Sequence, residues 1–204
     1  LSEIVEHVLK SNKYKNIVLV GWSKGGNITL KYAGEIGNQI PSEIKAVVGA
    51  SMPTDIYGSV QAMGKASFYA NRFKKKTFTF LKGRKHLIDP EKFAEFSRYK
   101  ILDDFTDWYI APLHGFKDAK DYYIKCSAIH HLENIKVPTL ILNALDDPIL
   151  SMTCSPFQMA SKSEIIHLET PNHGGHCSFY SPNSNGIHWG DKRILEFVCQ
   201  YIVK

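Results

Sequence analysis

The spacing of apolar residues changes twice in the first part of this chain, and each change marks an element. Near the amino terminus, helical spacing is found in IVEHVLK, and the run that follows, NIVLVGW, is continuously apolar, as in a strand buried on both faces. Helical spacing returns in NITLKYAGEIG, which ends on glycine. The pattern therefore predicts a helix, a strand, a tight turn and a second helix.

Three further strands are predicted downstream, each closed by turn-forming residues, in IKAVVGASMP, VPTLILNALDDP and SEIIHLE. A last amphipathic helix is predicted in GDKRILEFVCQYIVK. Strands that alternate with helices favour a mostly parallel sheet covered by helices on both faces, which is an α/β fold.

A long segment without strand signal, residues 57–130, separates the second and third predicted strands and is rich in aromatic and basic residues. Connections of this length in α/β domains are usually helical insertions. We therefore predict one domain over residues 1–204, with a helical cap inserted above the sheet at about residues 57–130.

The net charge of +5 is unevenly distributed. Residues 65–100 contain 11 Lys or Arg and 3 acidic residues, a local charge of +8, which leaves 14 minus 17, or −3, for the rest of the chain. This segment is interpreted either as a solvated helical face or as a surface that binds anionic lipid or an anionic substrate. Nucleic acid is not predicted as a partner, since the stacking motif of an RNA-binding module is missing.

The cysteines and histidines give little sign of a metal site. Cys126, Cys154, Cys177 and Cys199 include no C-x-x-C pair, so we predict ordinary buried thiols rather than a zinc site or a disulfide framework. The cluster HGGHC with His188 has no acid or second cysteine at ligand spacing, and no metal is predicted there. His130 and His131 are interpreted as residues of a turn or a helix cap.

A possible nucleophile stands in the turn after the first strand, where Gly21 to Gly25 read G-W-S-K-G. This matches the G-x-S-x-G elbow, in which a serine sits on a strained turn between strand and helix and its neighbours must be small. Ser23 would be lifted above the end of the strand. The backbone N–H of Lys24, at the start of the next helix, is predicted to face a developing oxyanion.

A serine hydroxyl needs a base that takes its proton and an acid that orients the base. In this fold the partners are expected in the order Ser, Asp or Glu, His, each after a later strand. Asp146 and Asp147 follow the third strand, and His173 and His176 lie in a glycine-rich loop after the fourth. We predict Asp146, because an Asp before proline often caps a turn, and His176, because the preceding glycines let its ring reach the serine. Asp147 and His173 remain the alternatives.

Four segments, GWSKGGN, DDFTDWYIAPLHGFKDAKDYYIKCSA, IKVPTLILNALDDP and HGGHCSF, together resemble the YheT-like branch of the α/β-hydrolases, which includes abhydrolase-domain-containing membrane esterases. The resemblance implies a Ser-Asp-His triad that maps onto Ser23, Asp146 and His176, esters of medium-chain acyl groups or lipids as substrates, and no cofactor. The sequence departs from the family pattern at two places. One is Lys24, where the family usually has an apolar residue, and the other is Cys177 to Tyr180, directly after His176.

The resemblance also implies that strands before the nucleophile strand, and the loop with a second oxyanion donor, lie upstream of this chain, which does not begin with methionine. We therefore predict a carboxyl-terminal portion of the fold and a serine carboxylesterase. The alternatives are an inactive fragment that serves as a binding module and acyl transfer to alcohols. No oligomeric state is predicted, and a cytoplasmic or membrane-associated location is left open, with any anchor upstream.

Overall fold

A computed structural model describes residues 1–64, 68–95, 102–181 and 186–202. Its centre is one parallel sheet in the order β1-β2-β3-β4. The strands are β1 Ile17–Trp22, β2 Ile44–Ala50, β3 Thr139–Leu142 and β4 Ile166–Glu169. All four occur where the apolar runs predict them, and the predicted α/β fold with a parallel sheet is confirmed.

The two inner strands are the buried part of the sheet. Every residue of β3 is buried, as is every residue of β2 except Lys45. Strand β1 is different, because it pairs with β2 on one side and with no strand of the described ranges on the other. Its residues are mostly half-buried and Val20 is 44% exposed, so the prediction of a strand buried on both faces is wrong for β1.

Helices cover both faces of the sheet, as predicted. Helix α2 packs on one face, where Leu30 and Ala33 meet Val47, and α10 packs on the other, where Phe197 meets Val48. The two neighbouring valines point to opposite faces because side chains alternate along a strand. The helices are α1 Ser2–Lys10, α2 Lys24–Ile36, α3 Ile56–Met63, α4 Phe68–Lys82, α5 Pro90–Glu95, α6 Leu102–Phe105, α7 Ala111–Leu113, α8 Ala119–Cys126, α9 Phe157–Ala160 and α10 Trp189–Ile202.

The described part of the insertion between β2 and β3 is mostly helical, with short turns between its helices, and a π-helical turn, Thr106–Ile110, follows α6. It has a small apolar cluster of its own, in which Leu81 and Ile88 pack against the aromatic rings of Phe105 and Trp108. Its helical character is as predicted, and its role as a cap remains a prediction. Part of the basic segment, residues 65–67 and 96–100, lies outside the described residues.

The four cysteines are free thiols, but they are not all buried. Cys154 is buried and Cys126 is half-buried, whereas Cys177 and Cys199 are exposed, so the prediction of buried thiols is wrong for the last two. In the parts of the chain that the structure describes, no helix has the length and apolar character needed to cross a membrane.

Candidate active site

Ser23 occupies a sharp turn between β1 and α2. Its backbone has φ 52° and ψ −126°, a left-handed conformation that costs a non-glycine residue free energy and is typical of functional turns. The turn is held by the Ser23 N–H, which donates to the carbonyl of Ala50 at the end of β2, 2.8 Å away. The Ser23 hydroxyl does not cap its own helix, although serine commonly does so at this position. It is therefore free to face another group.

Close approach of the helix to the strand requires glycine at two positions of this turn. A Cβ added at Gly21 would lie 2.3 Å from the carbonyl carbon and oxygen of Gly25, and one at Gly26 would lie 2.9 Å from the Gly21 carbonyl oxygen. A Cβ at Gly25 would meet nothing within 4 Å. The motif interpretation, which required small residues on both sides of the serine, is thus correct for Gly21 and wrong for Gly25, whose steric role is taken by Gly26.

The structure brings together Ser23, His176 and an aspartate, which is Asp147 and not the predicted Asp146. Ser23 Oγ lies 2.9 Å from His176 Nε2, and the other ring nitrogen, Nδ1, lies 2.9 and 3.2 Å from the two carboxylate oxygens of Asp147. Because a carboxylate only accepts, Nδ1 donates to Asp147. In the neutral ring, Nε2 then has a lone pair directed at the serine hydroxyl.

The turn that contains Asp147 holds its carboxylate in position for the contact with His176. Its side chain is fully buried, and Oδ1 also accepts the N–H of Ile149 at 2.9 Å. Asp147 therefore does cap a turn, as is expected of an Asp before proline. This capping does not keep it from the histidine, since the same carboxylate accepts from Ile149 and from His176.

Asp146 has a different set of contacts, in the loop that carries His176. Its Oδ1 accepts the N–H groups of Gly174 and Gly175 at 2.9 and 2.8 Å, and its Oδ2 lies 3.3 Å from His173 Nδ1. The Gly175 N–H, followed by the His173 and Gly174 contacts, lowers the pKa of this carboxyl group. Its side chain remains 41% exposed. Asp146 thus holds the histidine loop, and the contact of His173, 92% exposed in its side chain, is with Asp146 and not with Ser23.

An aromatic anchor and a serine fix the other end of the histidine loop. Phe179 is 2% exposed and lies between Trp22 and Trp189, with ring centroids 6.0 Å from each. The Cys177 N–H, next to His176, donates to the buried hydroxyl of Ser51 at 2.9 Å. The ring of His176 is therefore carried on a loop that is tied down on both sides.

Two of these supporting residues, Ser51 and Asn143, were missed by the sequence interpretation. Asn143 is 1% exposed and joins the end of β3 to the end of β2, since its Oδ1 accepts the Met52 N–H at 2.9 Å and its Nδ2 donates to the Met52 carbonyl at 3.2 Å. Both residues directly follow a strand, Ser51 after β2 and Asn143 after β3. That position was the available signal, but the interpretation applied it to acids and histidines alone.

The charge state of His176 is set by opposing influences. Burial lowers the pKa of the ring, but the hydrogen bond to Asp147, the Cys177 side chain and the negative charge of Asp147 outweigh burial and raise the pKa to about 9. The protonated ring is therefore favoured at neutral pH. Removal of this proton at higher pH gives the form that can accept from Ser23.

Lys24 begins α2 directly after the serine, where helix N–H groups have no intrahelical acceptor and the helix dipole favours negative charge. Its exposed side chain extends to the hydroxyl of Tyr122 on α8, 3.4 Å from Nζ. The lysine thus contacts a phenol rather than an acid. Over the described ranges, no group of three or more His, Cys, Asp or Glu residues is arranged to hold a metal ion.

Several curated proteins resemble this chain in sequence. Medium-chain fatty acid ethyl ester synthase/esterase 2 of Saccharomyces cerevisiae is 24% identical over 98% of this chain and 49% of its own length. Monoacylglycerol lipase ABHD2 of Danio rerio is 26% identical over 98% of this chain and 52% of its own length. The protein named "Putative esterase YheT" of Escherichia coli is 28% identical over 90% of this chain and 55% of its own length. The chain spans about half the length of these relatives. No family model matches the chain.

Solved structures show the same fold. A puromycin-hydrolyzing peptidase of Mycobacterium tuberculosis has a TM-score of 0.57 at 16% identity, over 97% of this chain and 24% of that one. A monoacylglycerol lipase of Paleococcus ferrophilus has a TM-score of 0.53 at 17% identity, over 98% of this chain and 74% of that one. The predicted α/β-hydrolase fold and the resemblance to YheT-like proteins are therefore confirmed.

Proposed function

We propose that this α/β-hydrolase chain is the catalytic part of a serine hydrolase that cleaves carboxylic esters. One observation supports the proposal above all, namely the 2.9 Å contact between Ser23 Oγ and His176 Nε2 in a ring whose other nitrogen contacts the buried Asp147. This is the geometry of a nucleophile, a general base and an orienting acid. The proposed triad is Ser23, Asp147 and His176.

Acylation begins when His176 Nε2 removes the hydroxyl proton as Ser23 Oγ attacks the ester carbonyl carbon. The carbonyl oxygen becomes an oxyanion, and the Lys24 N–H at the positive end of α2 is the proposed donor that stabilises it. Asp147 accepts from Nδ1 throughout and stabilises the imidazolium. The tetrahedral intermediate then collapses, the bond from carbon to the alcohol oxygen breaks, and that oxygen takes the proton from His176.

Deacylation repeats these steps with water. His176 removes one proton from the water, the hydroxide oxygen attacks the acyl carbon, and Ser23 Oγ leaves and recovers the proton. The products are one carboxylic acid and one alcohol. One ester and one water are consumed, and the free Ser23 hydroxyl and neutral His176 are regenerated.

Acyl-chain esters, such as fatty-acid or monoacylglycerol esters, are the proposed substrates. The support is the agreement of relatives, since one is named for medium-chain ethyl esters and another for monoacylglycerol. Medium-chain length in particular rests on the first of these alone.

An activity-based probe tests the proposal directly. A fluorophosphonate should label Ser23 covalently in the folded protein, and labelling should disappear in Ser23→Ala and fall strongly in His176→Ala. Ser11→Ala is a matched control, because that serine is exposed and its hydroxyl contacts only nearby backbone, the Val8 carbonyl and the Lys13 N–H. If the folded protein is not labelled, the enzyme proposal fails and a binding module built on a hydrolase scaffold replaces it.

A second candidate function is acyl transfer to an alcohol. It is favoured by the relative from Saccharomyces cerevisiae, whose name includes synthase as well as esterase. It uses the same acyl-enzyme, which an alcohol attacks in place of water. Product analysis with an acyl-coenzyme A donor and ethanol distinguishes the two reactions. Ethyl ester as the main product supports transfer, and free fatty acid alone supports hydrolysis.

A further inference from the structure

The chain between residues 68 and 88 carries positive charge without any acid. It contains seven Lys or Arg residues and no Asp or Glu, and most of these cations are exposed: Arg72, Lys74, Lys75, Lys76, Lys82, Arg84 and Lys85. The segment consists of α4 and the 3₁₀ turn that follows it. This surface, α4 with residues 83–88, is called the basic face below.

The basic face differs from the other charged helices of the protein. On three other helices an exposed lysine pairs with an acid one turn away: Lys10 with Glu6, Lys125 with Asp121 and Lys192 with Glu196. Within the described residues, no carboxylate forms an ion pair with any cation of the basic face. Its charge is therefore available to a partner.

Large apolar side chains are exposed among these cations. Phe73 and Phe80, seven residues apart on one side of α4, are 38% and 54% exposed, and Leu87 in the turn is 72% exposed. The adjacent side of the helix, roughly a quarter turn away, faces the protein, because Ala70 and Leu81 are buried there. The exposed rings are thus not part of the protein core.

The cations and the rings are arranged as a membrane-surface helix requires. Arg72, Lys75 and Lys82, at spacings of three and seven residues, share the side of α4 that faces away from Leu81. The guanidinium of Arg84 lies 3.8 Å from the ring centroid of Phe80, so a charge sits directly above an exposed apolar group. Helices of this kind lie in the interface, with the rings among acyl chains and the cations at anionic headgroups.

We propose that the basic face binds the surface of an anionic lipid bilayer. Charge complementarity identifies the partner as anionic, and the exposed phenylalanines and leucine identify it as one with an apolar interior. Nucleic acid offers the charge but not a continuous apolar layer for Phe73, Phe80 and Leu87 together, and DNA binding is compared directly in the test below. The proposal does not depend on catalysis by Ser23.

Vesicle binding by the protein tests the electrostatic part. Each Lys or Arg at an anionic surface strengthens binding about fivefold, so Arg72→Gln, Lys75→Gln and Lys82→Gln together should weaken binding about a hundredfold. The vesicles are phosphatidylcholine with and without about 30% phosphatidylserine, at about 0.15 M salt. The matched control changes Lys10, Lys13 and Lys15 to Gln, three exposed lysines outside the basic face, and should bind as the wild type does.

The apolar part needs a second variant that keeps every charge. Phe73→Ser, Phe80→Ser and Leu87→Ser should weaken vesicle binding at least tenfold and leave any binding to duplex DNA unchanged. Circular dichroism and melting temperature show that each variant is folded. Equal binding to neutral vesicles, an equal loss in the lysine control, or DNA binding as tight as vesicle binding would each overturn the proposal. Labelling of Ser23 by a soluble fluorophosphonate should be unchanged in all variants.

Discussion

The choice between two adjacent aspartates is the sharpest test of the proposed site. Asp147→Asn keeps the shape of a fully buried side chain that lies 2.9 Å from His176 Nδ1 and accepts the Ile149 N–H. It removes the charge that stabilises the imidazolium. The amide can also present its NH₂ to the ring, which then carries its proton on Nε2 and cannot accept one from Ser23.

The expected loss is large because the wrong tautomer stops proton transfer. In serine enzymes with this geometry, the same substitution lowers kcat about 10⁴-fold, which corresponds to about 5 kcal/mol of transition-state stabilisation. We expect a loss of this order for Asp147→Asn.

Asp146→Asn is the matched comparison, with the same chemical change one residue earlier. The asparagine Oδ1 can still accept the N–H groups of Gly174 and Gly175, which the carboxylate now holds at 2.9 and 2.8 Å. The loop that carries His176 should therefore keep its place, and kcat should fall less than about tenfold.

The assay is hydrolysis of a p-nitrophenyl ester, with Ser23→Ala as the measure of background and melting temperature as the measure of folding. Burst kinetics separate acylation from deacylation. A folded Asp147→Asn that keeps kcat within about tenfold of the wild type, together with an inactive Asp146→Asn, would refute the assignment and restore Asp146 as the partner of the histidine.

Two further predictions concern the contacts around the proposed triad. Only neutral His176 accepts a proton, and its pKa is raised to about 9, so kcat/KM should rise with pH to a plateau above that value and be about 1% of the plateau at pH 7. Cys177→Ala should move this pH profile to lower pH, because the Cys177 side chain helps to raise the pKa of His176. A profile that is flat from pH 6.5 to 9 would contradict the prediction. Asn143→Ala should lower the free energy of unfolding in urea by about 3 kcal/mol, because the Met52 N–H and carbonyl lose their buried partner. The control is Asn38→Ala at an exposed position, which should change that free energy by less than about 0.5 kcal/mol.

The sequence predicts the sheet and the position of the site because both follow from general rules. Continuous apolar runs mark buried strands, and parallel strands put their carboxyl ends at one edge, where the residues after them meet. Ser23 and His176 lie 153 residues apart in the chain and 2.9 Å apart in the structure, as that rule requires. The exposure of β1 could not be predicted from its composition, since burial of a strand depends on what pairs with it.

The choice between Asp146 and Asp147 lies beyond such rules. Both residues follow β3, and both accept hydrogen bonds from the histidine loop or its ring. The two aspartates differ in the direction of their side chains within one turn. The direction of the Asp147 side chain depends on its hydrogen bond from the Ile149 N–H. Spacing along a sequence identifies the turn but does not give the direction of each carboxylate.

The glycines of the nucleophile turn show the same limit and yield a last prediction. The motif marks Gly25, yet an added Cβ there meets open space, whereas one at Gly26 lies 2.9 Å from both the Gly21 carbonyl oxygen and Met52 Cβ. Gly26→Ala must therefore displace backbone, at a cost of about 1–3 kcal/mol, while Gly25→Ala can gain up to about 1 kcal/mol of helix propensity. Urea unfolding should place the midpoint of Gly26→Ala below the wild type and that of Gly25→Ala at or above it, with Ser23 still labelled in Gly25→Ala. The reverse order would mean that the motif glycine, and not its neighbour, sets the approach of α2 to β1.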